Sequence, residues 1–212
     1  MKAPAGRKAR REAARRLLEA FDPLALENWA AADAQAWPTL QSLLFDPEPV
    51  VRWRAAEVAG RVGAARARRD LEGGRELVRR TLWLMNDESG GVLWLGPQVM
   101  GSVLAHVPGL HGEFLPVLAS FLEEEPFRAG ARWGLWRVAL ASPVAVSAAA
   151  AALLRSLRDR DPEVRGLAAL ALAAVAGPGA ASAVRGDGAG FELFDPRTGA
   201  LRRVTVGEAA GG

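Results

Sequence analysis

The sequence predicts an all-α chain, an α-solenoid of about four helix pairs with a small β-hairpin at its C-terminal end. Three observations predict it. Helical periodicity runs from about residue 7 to residue 176. Within that stretch a short segment recurs, anchored at Val51, Val92, Ala131 and Val164, which lie 41, 39 and 33 residues apart. Past residue 176 the pattern gives way to glycine-rich chain and then to two β-prone runs around a turn.

Composition supports close-packed helices. Of 212 residues, 50% are hydrophobic, and alanine alone supplies about a fifth, well above ordinary usage. The chain has no Cys and two His. That excludes disulfides, thiolate zinc sites and Cys nucleophiles, argues against a His-rich metal centre, and fits a reducing compartment. The sequence pI of 10.4 comes from one end. Residues 1–16 carry seven basic side chains against Glu12, a net +6, which leaves the remaining chain at −3. A basic end on a mildly acidic body argues against a DNA-binding face. No apolar run reaches the roughly 18 residues of a membrane span. Arg10-Arg11 is followed by no apolar stretch, so no export signal is read and the cytoplasm is the expected location.

The elements follow in order. The first helix places Ala9, Ala13, Leu17 and Leu18 on an inward face and Arg10, Arg11 and Arg15 outward, which makes it a basic cap on the solenoid. Asp22-Pro23, Asp46-Pro47 and Asp161-Pro162 each read as an N-cap followed by proline at the first helical position. Small residues set the stripes of the repeats. Val51, Ala55, Val58 and Val62 fall at helical spacing, as do Val164, Ala168, Ala171 and Val175, and side chains this small let helices approach to about 8 Å. The solenoid is expected over residues 1–176, a flexible glycine-rich linker over 177–190, the hairpin over 191–206 and a tail over 207–212. Asp195-Pro196-Arg197-Thr198-Gly199 supplies the hairpin turn. A lone two-stranded hairpin is marginal in water, so it must dock on the solenoid, on a second copy or on a partner.

Asp161-Pro162-Glu163-Val164-Arg165, followed by an Ala/Leu helix, resembles the second-helix entry of HEAT repeats, in particular the HEAT-like repeats of bilin lyases. Val51-Arg52-Trp53-Arg54-Ala55, Arg79-Arg80-Thr81-Leu82-Trp83 and Asn86–Gly91 together resemble a small family of HEAT-like proteins from sulfate-reducing bacteria, over roughly residues 40–175. That resemblance implies the solenoid fold and no activity. It also implies a structural Asp/Arg ladder between repeats, formed here by Asp46, Arg52, Asp161 and Arg165.

The segment richest in unusual chemistry is Trp83 to Pro97. Asn86, Asp87, Glu88, Ser89, Gly90 and Gly91 make a polar turn between Trp83 and Trp94, suited to holding a peptide or ligand, or to capping a helix. Arg54, Arg132 and Arg137 beside Trp53, Trp133 and Trp136 suggest an Arg/Trp surface on the concave side; filling of the interior by Trp, with Arg snorkelling, is the competing reading. His106 and His111 share no helical face, and Glu123-Glu124-Glu125 before Pro126 reads as a helix start. No phosphate loop, dinucleotide fingerprint or catalytic triad can be assembled, and neither a metal nor a cofactor is expected. The reading is therefore a non-enzymatic adaptor that binds an unidentified protein through the Arg/Trp surface and the Asn86–Gly91 turn, with self-association through the hairpin also open. Two alternatives stand beside it. One is noncovalent handling of a tetrapyrrole, implied by the bilin-lyase resemblance. The other is a DNA base glycosylase of HEAT-like fold, with Trp83, Asp87, Trp94 and Arg132 as loose analogues of its groove.

Overall fold

The computed structural model describes residues 6–86 and 91–211. The first half holds α1 (Arg7–Ala20), α2 (Pro23–Ala32), α3 (Ala36–Leu43), α4 (Pro49–Ala67) and α5 (Leu71–Met85). The second half continues with α6 (Gly96–His106), α7 (His111–Ser120), α8 (Arg128–Ala139), α9 (Pro143–Val146), α10 (Ala150–Ser156) and α11 (Pro162–Ala176). Strands β1 (Gly190–Asp195) and β2 (Ala200–Thr205) and a last short helix, α12 (Val206–Gly211), complete the chain. The architecture is an α-solenoid with a C-terminal hairpin. Helices α4, α6, α8 and α11 lie side by side as an inner row, and α2, α3, α5, α7 and α10 pack behind them as an outer layer.

Local chemistry explains several of the boundaries. Asp22 accepts hydrogen bonds from the Leu24 and Ala25 amides at 2.8 and 3.0 Å, and Asp161 accepts from Glu163 at 2.9 Å. Each holds a proline-led helix, α2 and α11, at its first turn. Asp46 behaves differently. Helix α4 starts two residues beyond the expected point, at Pro49, and its N-cap Glu48 makes no side-chain cap. The anchor of the second repeat also moves. Val92 precedes α6, and Val99, two residues after Pro97, takes the place that Val51 and Val164 hold after Pro49 and Pro162.

The stripe of α4 is buried as expected, with Val51, Ala55, Val58 and Val62 at most 2% exposed. Glycines bring the inner helices closer still. A Cβ on Gly101 of α6 would fall on the backbone of Gly134 of α8. One on Gly134 would stand 2.7 Å from the Pro97 carbonyl oxygen. Gly60 of α4 faces Ser102 and His106 of α6 in the same way. Backbone meets backbone along the row.

The first helix is turned relative to expectation. Ala14 and Leu18 are buried, whereas Ala9 and Ala13 are exposed. Arg11 and Arg15 point into the fold, because Asp46 is 1% exposed and binds them at 2.7 and 3.5 Å. A buried carboxylate needs cationic partners more than the helix needs a uniform apolar face.

The C-terminal part is also more ordered than its glycine content suggests. In place of a free linker, residues 177–189 fold into turns with Ala181 and Val184 buried, and the Gly207 amide donates to the Asp187 carbonyl at 2.8 Å. In place of a tail, α12 buries Val206, Ala209 and Ala210 against α11. The hairpin pairs Phe191 with Val204 and Phe194 with Leu201 in antiparallel register.

If backbone contact sets the inner row, Gly101→Ala will lower stability by about 1–3 kcal/mol through overpacking. Gly112→Ala in α7, where an added Cβ meets nothing within 4 Å, will raise it by about 0.5–1 kcal/mol through helix propensity. Urea midpoints of the two variants will therefore move in opposite directions.

Candidate functional site

Trp53, Arg54 and Trp133 come together, but not as an open surface: the chain's own hairpin sits on them. The Phe194 ring stacks on Trp53 of α4, centroids 5.4 Å apart and planes at 12°. Trp133 of α8 lies 5.3 Å from Trp53 and 6.1 Å from Phe194, and its indole N–H donates to the Phe194 carbonyl at 2.9 Å. Trp133 and Phe194 are fully buried. Arg54 closes the edge of this seat. Its Nε donates to the Gly199 carbonyl at 2.8 Å, its Nη1 to those of Leu18 and Glu19 at 2.9 and 2.7 Å, and its guanidinium lies 5.2 Å over the Phe21 ring. Burial lowers the Arg54 pKa, and Glu19 partly opposes the shift. Gly199 has a φ of +67°, and a Cβ there would enter the Phe21 ring. Of the three docking options for the hairpin, the structure shows the first. Trp53, Arg54 and Trp133 face the hairpin and not an open concave surface.

The remaining arginines of that surface also have internal partners. Arg132, 2% exposed, donates to the Ser156 hydroxyl at 3.0 and 2.7 Å and to the carbonyls of Leu122 and Arg128 at 2.7 and 2.8 Å. Burial lowers its pKa, against the acids around it. It holds the outer layer to α8 and cannot reach the surface. Arg137 forms a bidentate pair with Glu57 of α4, both bonds 2.8 Å, and the Ser102 hydroxyl of α6 donates to the same carboxylate at 3.1 Å. Glu57 is 2% exposed. No local signal marks it, because it sits inside the Ala/Val run of α4.

His106 borders this network, its Nδ1 2.9 Å from the Ser102 carbonyl. Burial pushes its pKa below the ordinary 6.5, Glu57 opposing and Arg137 and Arg61 adding to the shift. His111 Nε2 lies 2.8 Å from the Leu104 carbonyl. Each imidazole is thus engaged by backbone, and among the described residues no group of three or more His, Asp or Glu side chains gathers as a metal site.

The predicted ladder takes another form. Arg52 donates to the Asp46 and Pro47 carbonyls at 2.7 and 3.0 Å. Arg165 repeats this on Asp159 and Arg160, at 2.8 and 3.0 Å. Each arginine ties down the loop that enters its own helix. Arg165 also pairs with Asp187 at 2.7 Å, Asp46 binds α1 and Asp161 caps α11. The link between successive repeats is made by Arg128, which the sequence reading missed. It pairs with Asp159 at 2.6 Å and Asp161 at 3.6 Å.

What stays open to solvent is the junction of α5 and α6. Trp83 and Trp94 are 63% and 62% exposed, while Trp37, Trp133 and Trp136 are at most 3%. Trp94 leans on Phe127, centroids 6.4 Å apart, and Phe127 meets Phe121 edge-on. Asn86 caps the end of α5 by donating to the Leu82 carbonyl at 2.9 Å. The Leu93 amide returns to the Leu84 carbonyl at 3.0 Å, and Gly96 abuts Met85. Asp87, Glu88, Ser89 and Gly90 lie outside the described residues; Gly91 is half-buried beside them.

Comparison with known proteins adds little. No family model matches the chain, and no curated protein matches it. Among solved structures, the crystal structure of an engineered protein is similar over 86% of this chain and 80% of its own, at 18% identity and a TM-score of 0.42.

Two expectations follow from this geometry. Phe194→Ala will cost about 3–5 kcal/mol and shift tryptophan emission to longer wavelength as Trp53 and Trp133 gain water, while the helical circular dichroism persists. Stability will also fall as pH drops below 6.5, because the unfolded chain then takes a proton at His106 that the folded chain, with its lowered pKa, refuses until more acid pH. His106→Gln will flatten that part of the stability profile in urea titrations at stepped pH.

Proposed function

We propose that this chain is a protein-binding adaptor without catalytic activity, acting through the exposed Trp83/Trp94 edge of a HEAT-like solenoid. One observation carries the reading. Trp37, Trp133 and Trp136 are at most 3% exposed, whereas Trp83 and Trp94, which flank the stretch between α5 and α6, are 63% and 62% exposed. Exposed tryptophans are costly to display in water and are enriched among the few residues that dominate protein interfaces. The inner face, where a solenoid would ordinarily receive a ligand, is taken by the hairpin, which moves the available surface to this edge.

The alternatives have weaker support. A tetrapyrrole would need the Arg/Trp groove that Phe194 fills, and a base-excising groove would need Arg132, which is turned into the core. No helix among the described residues is long and apolar enough to cross a membrane, and a cytoplasmic scaffold remains the corresponding expectation.

The test is a tagged pull-down from nuclease-treated extract of the source cells, comparing wild type with Trp83→Ala/Trp94→Ala by mass spectrometry. Both positions are exposed, so the double variant will keep its melting temperature. A stoichiometric protein will be retained by wild type, and the variant will weaken its binding by at least about thirtyfold. Equal retention by both would place the interface elsewhere, and enrichment of no protein over the control would overturn the adaptor reading.

A further inference from the structure

The hairpin uses one of its two edges to dock and leaves the other without a partner strand. In an antiparallel pair, residues alternate between those that exchange backbone hydrogen bonds with the opposite strand and those whose N–H and C=O point away from it. Three contacts set this alternation. The Val206 amide donates inward, to the Ala189 carbonyl at 3.0 Å. The Thr205 amide donates outward, to the Glu208 carboxylate at 2.6 Å. The Phe194 carbonyl also points outward, to the Trp133 indole at 2.9 Å, and Phe194 stands opposite Leu201. The outward residues of β2 are therefore Leu201, Arg203 and Thr205. Glu208 holds Thr205 and closes that end. Among the described residues, Leu201 and Arg203 make no hydrogen bond outside the hairpin. Their two N–H and two C=O groups lie in line along the outer edge of β2.

Next to β2 the hairpin does not close fully on the helices. A cleft of about 260 Å³ lies between one face of the sheet and helices α8 and α11, with Trp136, Leu140, Leu170, Ala173, Leu193 and Val204 in its walls. Arg202, between the two outward residues of β2, also lines it. Side chains alternate across a sheet. A third strand added antiparallel to β2 would therefore turn the residue opposite Arg202 to the cleft side, and those opposite Leu201 and Arg203 to the other side. Main-chain bonds along an edge, combined with a pocket for alternate side chains, are how sheet edges recognise extended peptides. The apolar walls here suit an aliphatic side chain.

The charge of β2 selects the occupant. Arg202 and Arg203 are exposed, and the strand carries no acid. Arg203 stands opposite Glu192, which lies across on β1, and Arg202 is within electrostatic reach of Asp195 and Glu208. Asp195 is already bonded to Arg197, and Glu208 to Thr205. Pairing of β2 with the β2 of a second copy would bring arginine against arginine, and edge charges of this kind keep identical sheets apart. A segment with glutamate or aspartate at alternate positions meets the opposite condition on the same edge.

We propose that the outer edge of β2 takes up an extended acidic segment of a partner protein as a third, antiparallel strand, with an aliphatic side chain of that segment in the cleft beneath the hairpin. This surface is separate from the Trp83/Trp94 edge and stands or falls independently of it.

The test uses the full chain and a labelled, end-capped peptide of alternating valine and glutamate, titrated by fluorescence anisotropy. Saturable binding is expected, and a peptide of alternating valine and lysine will bind at least about tenfold more weakly. Arg203→Pro removes one outward N–H and leaves the bonds inside the hairpin in place, as proline is tolerated on an edge strand. It will weaken binding at least about tenfold, whereas Arg203→Gln, which keeps the N–H, will weaken it no more than about threefold. If Arg203→Pro melts early, the peptide carries the same test. With valine in the cleft, the glutamate amides face β2. N-methylation of every glutamate will therefore abolish binding, and N-methylation of every valine will leave it within about threefold. Equal loss with the two methylated peptides, or the reverse order, would overturn the proposal, as would the absence of saturable binding to the valine and glutamate peptide. Dimerisation of the chain that the peptide reverses, read by analytical ultracentrifugation, would give the edge to a second copy and overturn it as well.

Discussion

The structure depends on how thin α6 is. Where it passes its neighbours, Gly101 meets Gly134 of α8 backbone to backbone, and the Ser102 carbonyl lies against Gly60 of α4. With so little bulk between them, α4 and α8, which flank α6 on its two sides, come within reach of each other across it. Glu57 and Arg137 then form a bidentate pair over the Ser102 hydroxyl, and Trp53 and Trp133 meet at 5.3 Å. A buried ion pair contributes little net stability and is severely costly to break. Its effect here is positional, because it fixes the register of three inner helices at once. The tryptophans one turn away are fixed with them, and so is the seat that receives Phe194. The hairpin, marginal by itself, is stable because that seat is already formed. Small residues on one helix thus lead to an aromatic socket shared by two others, and from there to the placement of the C-terminal hairpin.

Much of the fold was legible because its signals are local. Asp22-Pro23 and Asp161-Pro162 act within one turn, and Asp195 to Gly199 closes the hairpin through the Asp195 carbonyl and the positive φ of Gly199. The candidate site was less legible, because its partners are far away in sequence. Arg54 and Gly199 are separated by 145 positions, and Arg137 and Glu57 by 80. Nothing near Trp53 or Trp133 says that a hairpin phenylalanine will pack against both. The rotation of α1 escaped for another reason. A periodicity argument assigns arginine to solvent, but a buried Asp46 reverses that assignment for Arg11 and Arg15, and the alanines go outward as a result. The second repeat was misaligned because Val92 to Leu95 resemble the start of a helix while forming a return segment, with Leu93 bonded to Leu84.

Self-occupation of the inner face bears on how the chain meets other molecules. An open solenoid offers a long concave surface. In this chain Phe191, Phe194 and Val204 bury against that surface, and Gly166 is bare of a side chain where the Phe191 ring lies on α11. The contact is too well packed to be incidental. Such packing makes the solenoid and hairpin one body, and under the adaptor proposal recognition falls to the parts outside it. Trp83 and Trp94 are among the exposed residues there.

The charge distribution fits this division. Several acids and bases of the body are paired with one another, as in Arg75 and Arg79 with Glu72 and Glu113, or Arg128 with Asp159. Pairing of this kind on the surface stabilises weakly but leaves little field at a distance. The first sixteen residues carry a net +6 with Asp46 as their main buried counter-charge, so the field of the molecule is concentrated at the α1 end. A high pI arising in this way does not describe a basic surface. It describes one strongly cationic end on a body that is otherwise close to balanced, and an anionic group approaching the protein is drawn to that end. There Asp46 holds α1 to the body through Arg11 and Arg15.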